Sequence, residues 1–212
     1  MSSVSGIIEQ AFGRFIKDRQ PTGSVAKLAQ LLASGCSSAS EIEAVARDYA
    51  FSREDLLDLL VYFLESCFSN HSLDESKKSG LRKLKRLFRV KEGELYGLRE
   101  RKVRDLLQQE IDGILGDGTV DPEGALYLVD LQEAFDLSYD QFLEVTRSSF
   151  DRVVEEITEQ IEAHGQATAE EQRLFFERIL GLGIFYKITE RQRLLLFGQV
   201  PTGDQPTSSA VG

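Results

Sequence analysis

Tryptophan is absent from this chain, methionine occurs once, cysteine and histidine twice each, and proline four times in 212 residues. Each scarcity excludes something. Cys36 and Cys67 are far apart and neither has a CxxC partner, so they supply neither a disulfide framework nor a metal site and read as reduced intracellular thiols. His71 and His164 stand near turns without a Cys, Asp or Glu at triad or zinc spacing, which makes surface loop positions the expectation for both. No apolar run approaches the ~20 residues of a membrane span. The first six residues lack the basic start and apolar centre of a secretory leader, so a cytoplasmic setting is expected. Basic residues are the scarcer sign, 25 Lys and Arg against 35 Asp and Glu, for a net charge of −10. That balance argues against DNA or RNA as the main partner, because phosphate binding needs a basic surface. A Walker loop, a GxSxG and an HExxH are all missing, and no other catalytic constellation is visible. A non-enzymatic protein is expected.

What is present is leucine, glutamate and arginine in helical spacing, with 42% hydrophobic residues to build a core. The chain also half repeats itself at 47 residues. Asn70-His71-Ser72-Leu73-Asp74 lies over Asp117-Gly118-Thr119-Val120-Asp121, and the apolar positions then keep step. Leu81 falls on Leu128, Leu84 on Leu131, Phe88 on Phe135, Val90 on Leu137, Leu95 on Phe142, Leu98 on Val145 and Val103 on Phe150. Leu106-Leu107 falls on Val153-Val154. A weaker third copy starts at His164-Gly165-Gln166-Ala167-Thr168 and loses phase near Arg178 and Thr189. Such a period predicts stacked helical hairpins, each burying an apolar stripe against its neighbour.

Local signals place about nine to ten helices. Ile7, Ile8, Ala11, Phe12, Phe15 and Ile16 form a stripe over 6–18, and Gln20-Pro21-Thr22-Gly23 ends it. A second helix covers 25–33. Ser38-Ala39-Ser40-Glu41 opens a third over 41–49. Ser52, Ser72 with Asp74, Asp121 with Pro122, Ser138, Thr168 and Thr189 mark further starts. The sixth helix is expected from Lys91 to Leu115 and the eighth from Ser138 to Ala163. Gly181-Leu182-Gly183 reads as a glycine pair for close helix packing. Residues from Pro201 onward have the composition of a disordered tail.

Asp117-Gly118-Thr119-Val120-Asp121-Pro122-Glu123, an apolar helix, then Phe135-Asp136-Leu137-Ser138 and Phe142 resemble the core of the TerB-like family, the helical domain named for tellurite resistance. His164-Gly165 with Glu170-Glu171 resembles that family's next helical start. The resemblance covers 52–197. It implies an all-α fold, a usually non-enzymatic role linked to metal or oxyanion stress, and partial association with the inner face of a membrane. Where family metal sites cluster carboxylates, the first copy here carries Asn70 and His71. A fainter similarity joins 40–56 to the small Nif11-like helical segment common in cyanobacteria. The organisation read from all this is an N-terminal helical extension over 1–50, a TerB-like domain over 51–199, and a tail over 200–212.

Two groups are candidate sites. Asp112, Asp117 and Asp121, with Glu123, could hold Ca²⁺ or Mg²⁺ through oxygen ligands. They do not form an EF-hand loop, since Gly118 comes second and Leu128 stands at position twelve. Turn and cap roles are the competing reading. No other cofactor is expected. The charge distribution carries the second candidate. Residues 77–104 hold twelve basic side chains against three acidic, a local +9, whereas 105–171 hold eighteen acidic against two basic, a local −16. Within the basic stretch, Arg82, Lys85, Arg86 and Arg89 fall at i, i+3, i+4 and i+7, one helix face, with Arg101 and Arg104 on the next helix. The two blocks pair within the molecule, or the basic face docks something outside it. The expected function is therefore a helical interaction or scaffold protein docking an acidic protein or an anionic membrane surface. A divalent-metal-binding stress protein is the alternative.

Overall fold

The computed structural model of the chain describes residues 4–36, 38–49, 51–68, 72–116, 122–183 and 186–198. Among these the chain forms ten α-helices and no strand. In order they are α1 (Val4–Arg19), α2 (Gly23–Ala33), α3 (Ala39–Tyr49), α4 (Arg53–Cys67), α5 (Glu75–Leu87), α6 (Glu94–Ile114), α7 (Pro122–Ala134), α8 (Tyr139–His164), α9 (Ala169–Leu182) and α10 (Glu190–Phe197).

Their starts follow from side-chain chemistry. Ser52 accepts from the Asp55 N–H while the Asp55 carboxylate accepts from the Ser52 N–H, a reciprocal cap that satisfies two donors with no intrahelical partner. Thr168 with Glu171 and Thr189 with Gln192 make the same box at α9 and α10. Asp74 accepts from the Lys77 N–H at the start of α5.

The stops show a second regularity. After α5, the N–H groups of Phe88, Arg89 and Val90 donate to the carbonyls of Leu84, Arg86 and Lys85. After α7, those of Phe135, Asp136 and Leu137 donate to Leu131, Glu133 and Gln132, 47 residues on. Arg89 and Asp136 both take left-handed backbone, with φ 51° and 53°. Gly183 closes α9 at φ 58°. A Cβ on Gly183 would meet nothing within 4 Å. At Gly183 the glycine serves this positive-φ backbone, which side chains rarely adopt, rather than close helix packing, and Gly181 is buried within α9.

The chain divides into two compact units, Met1–Ser149 and Phe150–Gly212, and the division falls inside α8. In the first unit, α1 packs along α2, α4 and α5, and α4 along α5 and α6. Helices α1, α2 and α3 thus lie within this unit. Phe12 and Phe63 stack with centroids 6.4 Å apart, and Leu28, Leu32, Leu57, Leu60 and Leu84 of the same unit are all fully buried. Gly80 lets α5 approach this cluster: a Cβ there would stand 2.9 Å from the Phe63 ring. Phe68 makes a second cluster with Tyr127 and Phe135 at 6.3 and 5.6 Å.

The second unit is built on the apolar side of α8, where Phe150, Val153, Val154, Ile157 and Ile161 are buried with Phe175, Leu182 and Leu196. Gln192 is its polar centre. It donates to Tyr186 Oη at 2.8 Å, and its amide oxygen accepts from the Thr189 N–H at 2.9 Å. Arg191 ties α10 to Glu155 and Glu162 of α8.

At the positions spaced by 47, Leu81, Leu84, Phe88, Leu95, Val103 and Leu107 are buried, as are Leu128, Leu131, Phe135, Phe142, Phe150 and Val154. Leu98 breaks the correspondence: it is 48% exposed, whereas Val145 is buried. The break is local to the next residue, Arg99, where α6 leaves helical geometry (φ −132°, ψ 29°).

Candidate functional site

The basic face hangs on the turn between α5 and α6, and the first residue of α4 organises that turn. Arg53 donates from Nη1 to the Phe88 carbonyl and from Nη2 to the Arg89 carbonyl at 3.0 Å. It also grips Glu94 through Nε (2.7 Å) and Nη2 (2.5 Å). Glu94 in turn accepts from the Lys91 N–H at 2.9 Å. One guanidinium thus satisfies orphan carbonyls at the end of α5 and holds the carboxylate that opens α6. The Arg53 bond is the main reason the Glu94 carboxyl is held down to about 2. Ser52-Arg53-Glu54-Asp55 showed in the sequence only as a helix start. Nothing local marked Arg53 as reaching residues 35 to 41 positions away.

The structure sorts the six basic candidates. Arg82, Arg86 and Arg89 are exposed on α5 and its C-terminal turn. Arg82 lies 3.8 Å from Glu75, and Arg89 reaches Glu43 of α3 at 2.6 Å with both side chains open to solvent. Arg86 makes no side-chain ion pair among the described residues. Lys85 does not share their surface. Its ammonium pairs with Asp136 at 2.7 Å and donates to the Ala134 carbonyl at 2.9 Å. Burial pulls its pKa down, with Asp136 opposing. The i+3 position sits at the edge of the face, where the C-terminal end of α7 offers the Ala134 carbonyl and Asp136 to its ammonium. Arg104 is engaged by Glu100 (2.8 Å) and Glu144 (2.7 Å) and lies over the Tyr96 ring. Arg101 is almost wholly exposed, with Asp105 at 3.9 Å.

Several other charges of the basic stretch pair within the first unit. Lys78 binds Asp130 at 2.6 Å, and this bond raises the Lys78 pKa. Arg99 binds Asp58 at 2.5 Å and Glu54 at 3.0 Å on α4. Part of the basic block is therefore internal glue, and Arg82, Arg86 and Arg89 are exposed on α5 and the turn that follows it.

For the acidic candidate, Asp117 and Asp121 lie outside the described residues. Asp112 accepts from Gln108 at 3.1 Å and from the Ser149 hydroxyl at 2.9 Å. Gln108 also donates to Ser149, which closes a triangle between α6 and α8. Nearby, the buried Glu110 carboxylate accepts from Tyr127 Oη at 2.9 Å. Among the described residues no group of three or more His, Cys, Asp or Glu is arranged to hold a metal ion. His71 lies outside the described residues, and His164 is an exposed neighbour of Glu171 at 3.5 Å.

A cleft of about 530 Å³ lies among α1, α2, α4 and α6. Its apolar floor includes Phe15 and Tyr62, in edge contact at 4.6 Å. Its wall includes Asp58 and Lys102, which bind each other at 2.8 Å. Those polar groups are spent on one another and on Arg99. Both cysteines are buried and unpaired, and burial drives the Cys67 thiol up to about 12, so it stays a thiol at neutral pH. No described helix is long and apolar enough to cross a membrane. No family model matches the chain, and neither a curated protein nor a solved structure matches it.

Proposed function

We propose that this chain is a non-catalytic helical docking module, of the kind its TerB-like sequence features imply, that holds an acidic segment of a partner protein on the outer face of α5. The carrying observation is the exposed set Arg82, Arg86 and Arg89, of which Arg86 has no counter-ion among the described residues. Guanidinium groups on a helix whose end is pinned by Arg53 suit carboxylates, which they grip in a bidentate fork. An acidic protein is favoured over an anionic membrane, because lipid attraction works through larger clusters of ~4–8 basic residues. The 47-residue recurrence, taken as hairpins stacked in series, belongs to the same proposal: it would give a docking helix a rigid backing.

The test is a titration of a glutamate-rich peptide against the full chain and against Arg82→Glu/Arg86→Glu/Arg89→Glu. Wild type should bind with an affinity that falls as salt rises. The triple variant should lose binding and melt close to wild type, because exposed pairs contribute little to stability. An unaffected triple variant, or no peptide binding at low salt, overturns the reading. Cosedimentation with phosphatidylserine vesicles in place of peptide binding would move the partner to the membrane.

A further inference from the structure

The three exposed arginines of α5 and its C-terminal turn are not equally free. Arg82 has Glu75 of its own helix at 3.8 Å, with both side chains open to water. Arg86 makes no side-chain ion pair among the described residues. Arg89 is different: Glu43 holds it at 2.6 Å, and Glu43 comes from another helix, α3.

Two features make this contact more than an incidental surface pair. The first is that the backbone beneath Arg89 is fixed. Its carbonyl accepts from Arg53 Nη2 at 3.0 Å, its N–H donates to the Arg86 carbonyl at 3.1 Å, and its φ is 51°. Arg89 therefore meets any ligand by rotating its side chain alone. Glu43 takes Nη2, one of the nitrogens through which a guanidinium forks a carboxylate, so a second carboxylate competes for the same edge. The second feature is the chemistry of the occupant. Glu43 offers what an acidic partner offers, a glutamate carboxylate on a helix. That helix is acidic as a whole, with Glu41, Glu43 and Asp48 against the single base Arg47. Holding α3 in place does not require the pair. Ile42 of the same helix is buried, and an exposed ion pair contributes little to stability.

We infer that Glu43 is a built-in competitor at the docking face: in the free protein it fills the Arg89 position, and an acidic partner displaces it to engage all three arginines. This regulation rests on the α5 docking reading. It divides the arginine row into an open part, Arg82 and Arg86, where an acidic segment lands first, and a guarded end at Arg89, where the segment gains only the difference between its own carboxylate and that of Glu43.

The experiment titrates a glutamate-rich peptide at low salt against the full chain as wild type, Glu43→Gln, Asp48→Asn, Arg89→Gln and Glu43→Gln/Arg89→Gln. Glu43→Gln should bind about two- to fivefold tighter than wild type, one exposed pair expressed as affinity. Asp48→Asn removes the same charge from the same helix and should change binding much less, which separates release of Arg89 from a change in net charge. With Arg89 already replaced, Glu43→Gln should lose most of its gain. All of these variants should melt near wild type, since each altered position is exposed. Glu43→Gln that binds no tighter than wild type or than Asp48→Asn overturns the inference, as does an equal gain with Arg89 replaced. In either case the docking reading still stands if the Arg82→Glu/Arg86→Glu/Arg89→Glu chain loses the peptide that wild type binds. Peptide binding by none of these chains overturns both.

Discussion

Helices α5 and α9 begin 94 residues apart with the same device, Asp74 or Thr168 accepting from the N–H three residues on, and both end on left-handed backbone. Inside that shared frame their outward surfaces differ in kind. Arg82 and Arg86 face solvent from α5, where α9 presents Phe176 and Leu180. The buried side differs less: Leu81 and Leu84 pack in one, Phe175 and Leu182 in the other. Caps and inward positions are fixed by the need to satisfy backbone donors and bury apolar area. Outward positions answer to nothing within the fold, so they are where a function can be written. The comparison teaches that a basic surface and an apolar one can sit on the same local architecture.

The strongest way to break the comparison is through the core. Phe88 and Phe135 occupy corresponding places after α5 and α7, and both are fully or nearly fully buried. Phe88→Ala and Phe135→Ala should each cost about 3–5 kcal/mol by denaturant unfolding. One large and one negligible loss would show that the two turns are not equivalent.

Next in size is Arg53→Met, which uncaps the end of α5 and leaves Glu94 without its partner. About 2 kcal/mol should be lost, and the effect should report on α5 with no counterpart in α9. The pH dependence sharpens it. The Glu94 carboxyl is held at about 2 against an ordinary 4.5, so its contribution is complete above pH 4.5 and disappears as pH falls from there towards 2. Arg53→Met should lack this step of acid destabilisation.

The smallest effect separates the two left-handed residues. Arg89→Gly relieves a side chain at φ 51° and gives up one solvent-exposed pair. It should be neutral or stabilising, by at most about 1 kcal/mol. Asp136→Gly relieves the same geometry but strips the half-buried Lys85 of its counter-ion, and should destabilise. Equal outcomes would mean that Lys85–Asp136 contributes nothing.

The helices were legible because their signals are local. Ser52, Asp74, Thr168 and Thr189 sit within three residues of the donors they satisfy. The inward positions of α5 could be read from 3.6-residue spacing alone. What escaped depends on partners distant in sequence. Lys85 turns inward because Ala134 and Asp136 offer acceptors about 50 residues away. Leu98 faces solvent beside the bend of α6 at Arg99, whose guanidinium reaches back to α4. The arginine surface was visible as composition, but which arginines remain at the surface was not. The exposed Leu180 and Phe197 of α9 and α10 gave weaker notice, since an apolar residue at helical spacing reads as core until its neighbours are known.

Arg53 has a consequence for the order in which the molecule assembles. Its bonds to the Phe88 and Arg89 carbonyls close chain segments of 35 and 36 residues, whereas the caps and helix ladders close turns of three or four. Short closures cost less entropy and form in the fastest phases. The Arg53 clasp therefore belongs to the late side of the folding barrier. Losing it should speed unfolding and leave the folding rate nearly unchanged, so the clasp governs how long the basic surface, once formed, stays in place.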